Sequence, residues 1–281
     1  MERKREVRGV PVPSFMYGTA WKEDQTEELV LHALAAGFTA IDTANQRRHY
    51  FEAGVGAALA KFLGEGKLTR EDLFLQTKFT YMRGQDARLP YDSTAKLATQ
   101  VQQSCASSLE HLGTTYVDSY VLHGPSSGRG LTEDDREVWK AMEELHAAGK
   151  TKLLGVSNVS LEQLETLQKL SQVPIAFVQN RCFARNGWDR AVRVFCDGHG
   201  IVYQGFSLLT ANDREIQSRD VRRIAERHGK TLPQVVFRFA LQVGMLPLTG
   251  TSDPEHMRQD LGSFDFELDA EEVTLIERVA S

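Results

Sequence analysis

Eight short β-rich runs recur along the chain: "SFMYGTA" (14–20), "FTAIDTA" (38–44), "LFLQTKF" (73–79), "DSYVLHG" (118–124), "KLLGVSNV" (152–159), "AFVQNRC" (176–182), "IVYQGFSL" (201–208) and "LPLTGT" (246–251). Helical patterns separate them, among them "DQTEELVLHALAAG" (24–37), "EVWKAMEELHAAG" (137–149) and "SLEQLETLQKL" (160–170). Strand–helix alternation implies parallel strands joined by helical crossovers. Sustained eight times over 281 residues, it predicts a closed (β/α)8 TIM barrel in a single domain, 1–281. The opening "EVRGVPVP" reads as a small hairpin or arm before the first barrel strand, and "LDAEEVTLIERVAS" (268–281) as a last helix. No linker, repeat or low-complexity run marks a second domain.

The charge balance narrows the partners. A formal net charge of −5 and a pI near 5.9 give no basic footprint, so neither nucleic acid nor an anionic membrane is expected as a partner. The N-terminus "MERKREVRGVPVP" lacks an apolar leader core, and no window approaches the ~20 apolar residues of a membrane span. Three cysteines, Cys105, Cys182 and Cys196, form neither a CxxC nor a metal spacing. The odd count argues against a secreted disulfide framework and for a reducing, cytoplasmic setting, with no metal site.

Barrel chemistry sits where strands end at their C-terminal edge. Three consecutive runs end there in costly residues: "FTAID" in Asp42, "LFLQTK" in Lys78 and "YVLH" in His123. Strands lie about 4.8 Å apart, so the three groups converge on one patch. An Asp–Lys pair in a dry mouth can be purely structural, and a barrel lysine can also serve as a Schiff-base nucleophile, as in an aldolase. A third reading brings in Tyr50: a lysine held charged by Asp42 would lower the phenol from its ordinary value of about 10 and make it a general acid. Trp21, following the first run, is a candidate pocket wall. The long connection 80–92, with Tyr81 at its start, is expected to border the substrate and close over it. "GVGAAL" (54–59) lacks the third glycine of a dinucleotide fingerprint and reads as helix packing. Cys182 has no adjacent base and reads as a buried thiol; Trp139 and Trp188 read as structural.

The order and placement of these motifs resemble the aldo-keto reductase family over nearly the whole chain. The resemblance implies NAD(P)H-dependent reduction of a small-molecule aldehyde or ketone, with Asp42, Tyr50, Lys78 and His123 as the family's Asp–Tyr–Lys–His tetrad. "GVSN" and "VQN" are similar to its carboxamide-binding segments, implying Ser157, Asn158 and Gln179. "YQGFSLL" implies Phe206 stacked on the nicotinamide, with Ser207 and Leu209 near the pyrophosphate. Three departures stand out. The family's tyrosine falls five residues after the aspartate, a position held here by Arg47, so a longer "NQRRHY" connection must bring Tyr50 back, and His49 competes as proton donor. The family's Trp after the His is Gly124. In "LTGTSDPEHMRQD" the 2′-phosphate lysine is Gly250 and the usual arginine is His256. Thr251, Arg258 and the free N–H groups of the helix start at Pro254 are expected to take over, favouring NADP(H) over NAD(H). A catalytically weak nucleotide-binding sensor or subunit is the remaining alternative.

Overall fold

The computed structural model describes residues 2–66 and 68–280. An antiparallel hairpin of β1 (Lys4–Val7) and β2 (Val10–Pro13) precedes eight parallel strands: β3 (Met16–Gly18), β4 (Ala40–Asp42), β5 (Phe74–Phe79), β6 (Val117–Leu122), β7 (Thr151–Ser157), β8 (Ile175–Arg181), β9 (Val202–Phe206) and β10 (Leu246–Thr249). They close in the order β10-β3-β4-β5-β6-β7-β8-β9, the barrel expected from the alternation. Each of the eight runs coincides with one strand, three of which (β6, β7 and β8) begin one residue earlier than the run, and the hairpin and the last helix fall where the sequence placed them.

The helices are α1 (Thr26–Ala36), α2 (Glu52–Gly64), α3 (Leu97–Leu112), α4 (Glu133–Ala147), α5 (Leu161–Leu170), α6 (Arg190–Gly198), α7 (Asp213–Ile216), α8 (Arg219–His228), α9 (Leu232–Gln242), α10 (Pro254–Leu261) and α11 (Ala270–Glu277). Local chemistry fixes their ends. Thr132 with Asp135, Ser160 with Gln163 and Thr231 with Gln234 form reciprocal capping boxes at the starts of α4, α5 and α9. Left-handed Gly37, Gly113 and Gly229 stop α1, α3 and α8. "GVGAAL" lies in α2, where a Cβ on Gly56 would stand 1.9 Å from the His111 carbonyl oxygen; the glycine permits close approach of α2 and α3.

The barrel interior is layered. At its floor an apolar cluster of Met16, Ala40, Phe74, Leu153, Phe177 and Leu246 is joined by Val7 and Val12 from the hairpin, which closes that end. The register then sets Asp42 beside Gln76 and Gln179 beside Gln204. Since alternate residues share a face, Lys78 points inward one step above Gln76. Thr77, between them, points out to Glu52 of α2 and donates a hydrogen bond to it. Outside the strands, a large apolar shell packs the helices onto the barrel, including Val55, Val101, Val138, Met142 and Leu164. Trp139 and Trp188 are buried in it, their indole N–H groups bonded to Ser171 Oγ and the Ile276 carbonyl. No helix of the described residues is long and apolar enough to cross a membrane.

Candidate active site

At the C-terminal mouth Lys78, fully buried, donates to both carboxylate oxygens of Asp42 at 2.7 Å and to the Thr43 carbonyl at 2.8 Å. Asp42 Oδ1 also accepts from the side-chain amides of Gln76 (2.8 Å) and Gln179 (3.1 Å), and both amides donate to Gln204 Oε1. Burial pulls the Lys78 ammonium below its ordinary value and the Asp42 charge opposes it. Three acceptors around Nζ match the three N–H donors of an ammonium. No lone pair is left for attack on a carbonyl, which removes the support for a Schiff-base lysine.

Tyr50 reaches this pair because the longer connection is coiled into one turn. The Gln46 carbonyl accepts both the His49 and Tyr50 N–H groups, at 3.0 and 2.9 Å. The phenol ring then stands 5.3 Å from Lys78 Nζ and meets the His123 ring edge-on at 5.9 Å. His49 packs instead on Trp21, ring centroids 3.9 Å apart. The electrostatics correct one expectation. Burial and the Asp42 carboxylate raise the Tyr50 phenol above its ordinary value, because Lys78 spends its donors on Asp42 and Thr43 and gives the phenol no hydrogen bond. The phenol is therefore held protonated and not acidified. His123 is pushed down to about 3 by burial and by the Lys78 charge, so its imidazole is neutral at pH 7.

These groups open onto a cavity of about 470 Å³ that runs from Asp42, Tyr50 and His123 past Phe206 to Thr251. Of the sequence candidates, Trp21, Ser157, Asn158, Gln179, Phe206, Ser207, Leu209 and Thr251 also line it. Trp21, Asn158 and Ser207 carry φ values of 64°, 52° and 56°, left-handed backbone that non-glycine residues adopt only under constraint.

The structure places four expected site features differently from the sequence reading. Tyr81 lies off the cavity wall, its hydroxyl donating to Asp135 at 2.8 Å. Arg258 is on the exposed side of α10, where its Nε bonds Glu255 at 3.0 Å. The start of α10 is not free for an anion, since Asp253 accepts the Glu255 and His256 N–H groups. The connection 80–92 contributes nothing to the cavity wall and folds back on the mouth instead. Gln85 bonds the Asn45 carbonyl (2.8 Å), Gln46 bonds the Gly84 carbonyl (2.7 Å) and Tyr91 bonds the Thr80 carbonyl (2.8 Å). It braces the turn that carries Tyr50.

Sequence reasoning missed several residues in and around the site. Arg181 ends β8 with its guanidinium 5.7 Å from the Phe206 ring, and the rule that picked Asp42 and Lys78 from strand ends would have found it. Lys22 donates to the Gly250 carbonyl, near the position where the lysine is absent. His256 and Asp260 face the cavity from α10. Buried Gln76 and Gln204 are inward strand residues whose only sequence signal is polarity in an apolar run. The Cys182 thiol is pushed up to about 12 by burial, as an inert cysteine should be. Among the described residues no group of three or more His, Cys, Asp or Glu could hold a metal ion.

A model of the aldo/keto reductase family matches residues 14–281. Among individual proteins, an aldo-keto reductase of Mycolicibacterium vanbaalenii is 32% identical over 90% of this chain and 82% of its own. The NADPH-dependent alpha-keto amide reductase of Saccharomyces cerevisiae is 28% identical over 92% and 83%. A crystal structure of an aldo/keto reductase from Brucella melitensis superposes with a TM-score of 0.81 at 27% identity, covering 98% of both chains.

The buried acid at the far end of the cavity gives a stability test. Asp260, 3% exposed and among the described residues bonded only by the Thr249 hydroxyl, is raised to about 7 by burial. An acid so raised costs no stability below about pH 4, where it is protonated folded or unfolded, and increasingly destabilises the fold as pH rises towards 7. Asp260→Asn should therefore gain stability over wild type at pH 8 but not at pH 4, by urea denaturation; an equal difference at both values would show that the acid is not shifted.

Proposed function

The chain belongs to the aldo/keto reductase family, and on that premise we propose that it reduces an aldehyde or ketone to an alcohol with a nicotinamide nucleotide, using Tyr50 as the proton donor. The observation that carries this reading is the convergence of the Tyr50 and His123 rings on one end of the cavity, beside the buried Asp42–Lys78 pair.

The cavity wall suits such a nucleotide. Ser157, Asn158 and Gln179 bring hydroxyl and amide groups together next to the tetrad, and Phe206 offers an aromatic face. The Asn158 amide nitrogen is bonded to the His123 carbonyl and Ser157 Oγ, which leaves its carbonyl oxygen to accept from a carboxamide. When bound, the nucleotide supplies the hydride. The chain's residues do the rest. His123, neutral, holds the carbonyl oxygen, and Tyr50 delivers its proton to that oxygen as negative charge develops there. A phenol kept protonated by its surroundings is ready for this. The Lys78 charge, 5.3 Å from the ring, stabilises the phenolate left behind and so acts after the proton moves.

At the adenosine end, Lys22 and, once released from Glu255, Arg258 are the cations available for a phosphate, with the His256 ring on the same wall. They favour NADP(H) over NAD(H), in line with the NADPH-dependent yeast relative. Loss of a charge-assisted contact costs about 1.5–3 kcal/mol, offset here by the Glu255 pair that Arg258 must leave. Arg258→Ala should therefore weaken NADPH severalfold with NADH unchanged; equal losses would exclude a phosphate role.

The proton donor is tested by two substitutions in an NADPH-oxidation assay over a panel of carbonyl compounds. Tyr50→Phe should lower kcat by about 10²–10⁴-fold with nucleotide binding retained, whereas His49→Ala should stay near wild type. Turnover lost with His49→Ala and kept with Tyr50→Phe would reassign the donor to the imidazole. Tight nucleotide binding without turnover of any carbonyl would favour the sensor.

A further inference from the structure

The residue after the "QTKF" strand, Thr80, has no part in the reading above. It is buried, 6% exposed, and its Oγ1 lies 2.7 Å from His123 Nδ1. Its backbone is held twice by the connection that follows: the Tyr91 hydroxyl and the Gln85 amide both donate to the Thr80 carbonyl, at 2.8 and 3.3 Å. Its methyl group packs so closely on Gly84 that a Cβ there would stand 2.7 Å from Thr80 Cγ2. The hydroxyl is thus fixed in place by its own loop.

The direction of the hydrogen bond follows from the partners. Among the described residues Thr80 Oγ1 bonds only His123 Nδ1. If the imidazole donated through Nδ1–H, the buried hydroxyl proton would be left without an acceptor, a cost comparable to a lost hydrogen bond. With the hydroxyl donating, both groups are satisfied. The proton of the neutral ring then sits on Nε2, the nitrogen free to face the cavity.

We propose that Thr80 is a positioning residue that locks His123 in the Nε2–H tautomer, so that the ring presents a donor to the substrate carbonyl, and that the connection 80–92 serves to hold Thr80 in that role. The inference rests on the carbonyl-reductase reading for its catalytic consequence but not for the tautomer itself. It also explains why the connection buries Tyr91 and Gln85 instead of lining the cavity: its product is a fixed threonine.

The test reads the ring directly. Long-range ¹H–¹⁵N spectra of the intact protein, with the His123 signals assigned from His123→Gln, report which nitrogen carries the proton. Wild type and Thr80→Ser should show the Nε2–H form alone. Thr80→Val, which keeps the side-chain shape, and Thr80→Ala, which needs no new packing, should show a mixture or the Nδ1–H form. In the reduction assay both should lose kcat about tenfold, as for one directional hydrogen bond, with NADPH affinity unchanged and Thr80→Ser close to wild type. A wild-type ring carrying its proton on Nδ1, or an Nε2–H ring unaltered in Thr80→Val and Thr80→Ala, overturns the proposal. Failure of the reductase reading would be distinguishable: no carbonyl would be turned over, while the tautomer would still answer to Thr80.

Discussion

The mouth of this barrel is organised by one contact, the buried ion pair between Asp42 and Lys78. Two charges taken out of water lose several kcal/mol of hydration each and recover it only with near-complete hydrogen bonding. Here the bonding is supplied. Lys78 meets three oxygens, and Asp42 Oδ1 is shared with two glutamine amides that interlock through Gln204. Removing either partner would strand the other charge above an apolar floor, at a cost of about 3–5 kcal/mol. The pair is thus both the polar closure of the core and the charge beside the Tyr50 ring.

That coupling runs in an unexpected direction. The residue types suggest a lysine that acidifies its tyrosine, but the lysine's protons are committed elsewhere and the phenol is raised instead. A raised phenol is a weaker acid at rest and a fully protonated one. Under the proposed mechanism the favourable charge becomes effective when phenolate forms, so its contribution would appear in the transition state, where stabilisation lowers a barrier and not merely the ground state. Placing the ring matters as much as tuning it. The coiled turn over residues 46–50 shortens the path, and two hydrogen bonds, Gln46 donating to the Gly84 carbonyl and Gln85 donating to the Asn45 carbonyl, tie it to the opposing connection.

The fold was legible because it rests on periodic features. Alternating apolar residues, capping boxes and stop glycines leave a repeated imprint, and each of the eight runs became a barrel strand. Asp42, Lys78 and His123 could be selected because barrel geometry gives strand ends a fixed destination. Residues in connections have no such rule. Tyr81 and Arg258 were plausible by position, yet the first turns to Asp135 and the second to Glu255, choices set by neighbours distant in the barrel or on the far side of a helix. Whether Tyr50 or His49 faces Lys78 depends on a single backbone turn, which neither composition nor spacing encodes. Gln76 and Gln204 were hidden for another reason: one polar residue in an apolar strand looks like noise until neighbouring Gln179 completes a layer of three at the same height.

The most direct test of the ion pair as the organising element is a double-mutant cycle on carbonyl turnover, with Asp42→Asn, Lys78→Met and the combined variant assayed alongside nucleotide affinity. If the pair acts as one unit, each single change should lower kcat by about 10²–10³-fold, the range for removing a preorganised electrostatic group. The double variant should then lose no more than the worse single, with NADPH still bound. Losses that multiply across the two positions, or a single variant with wild-type kcat, would contradict it.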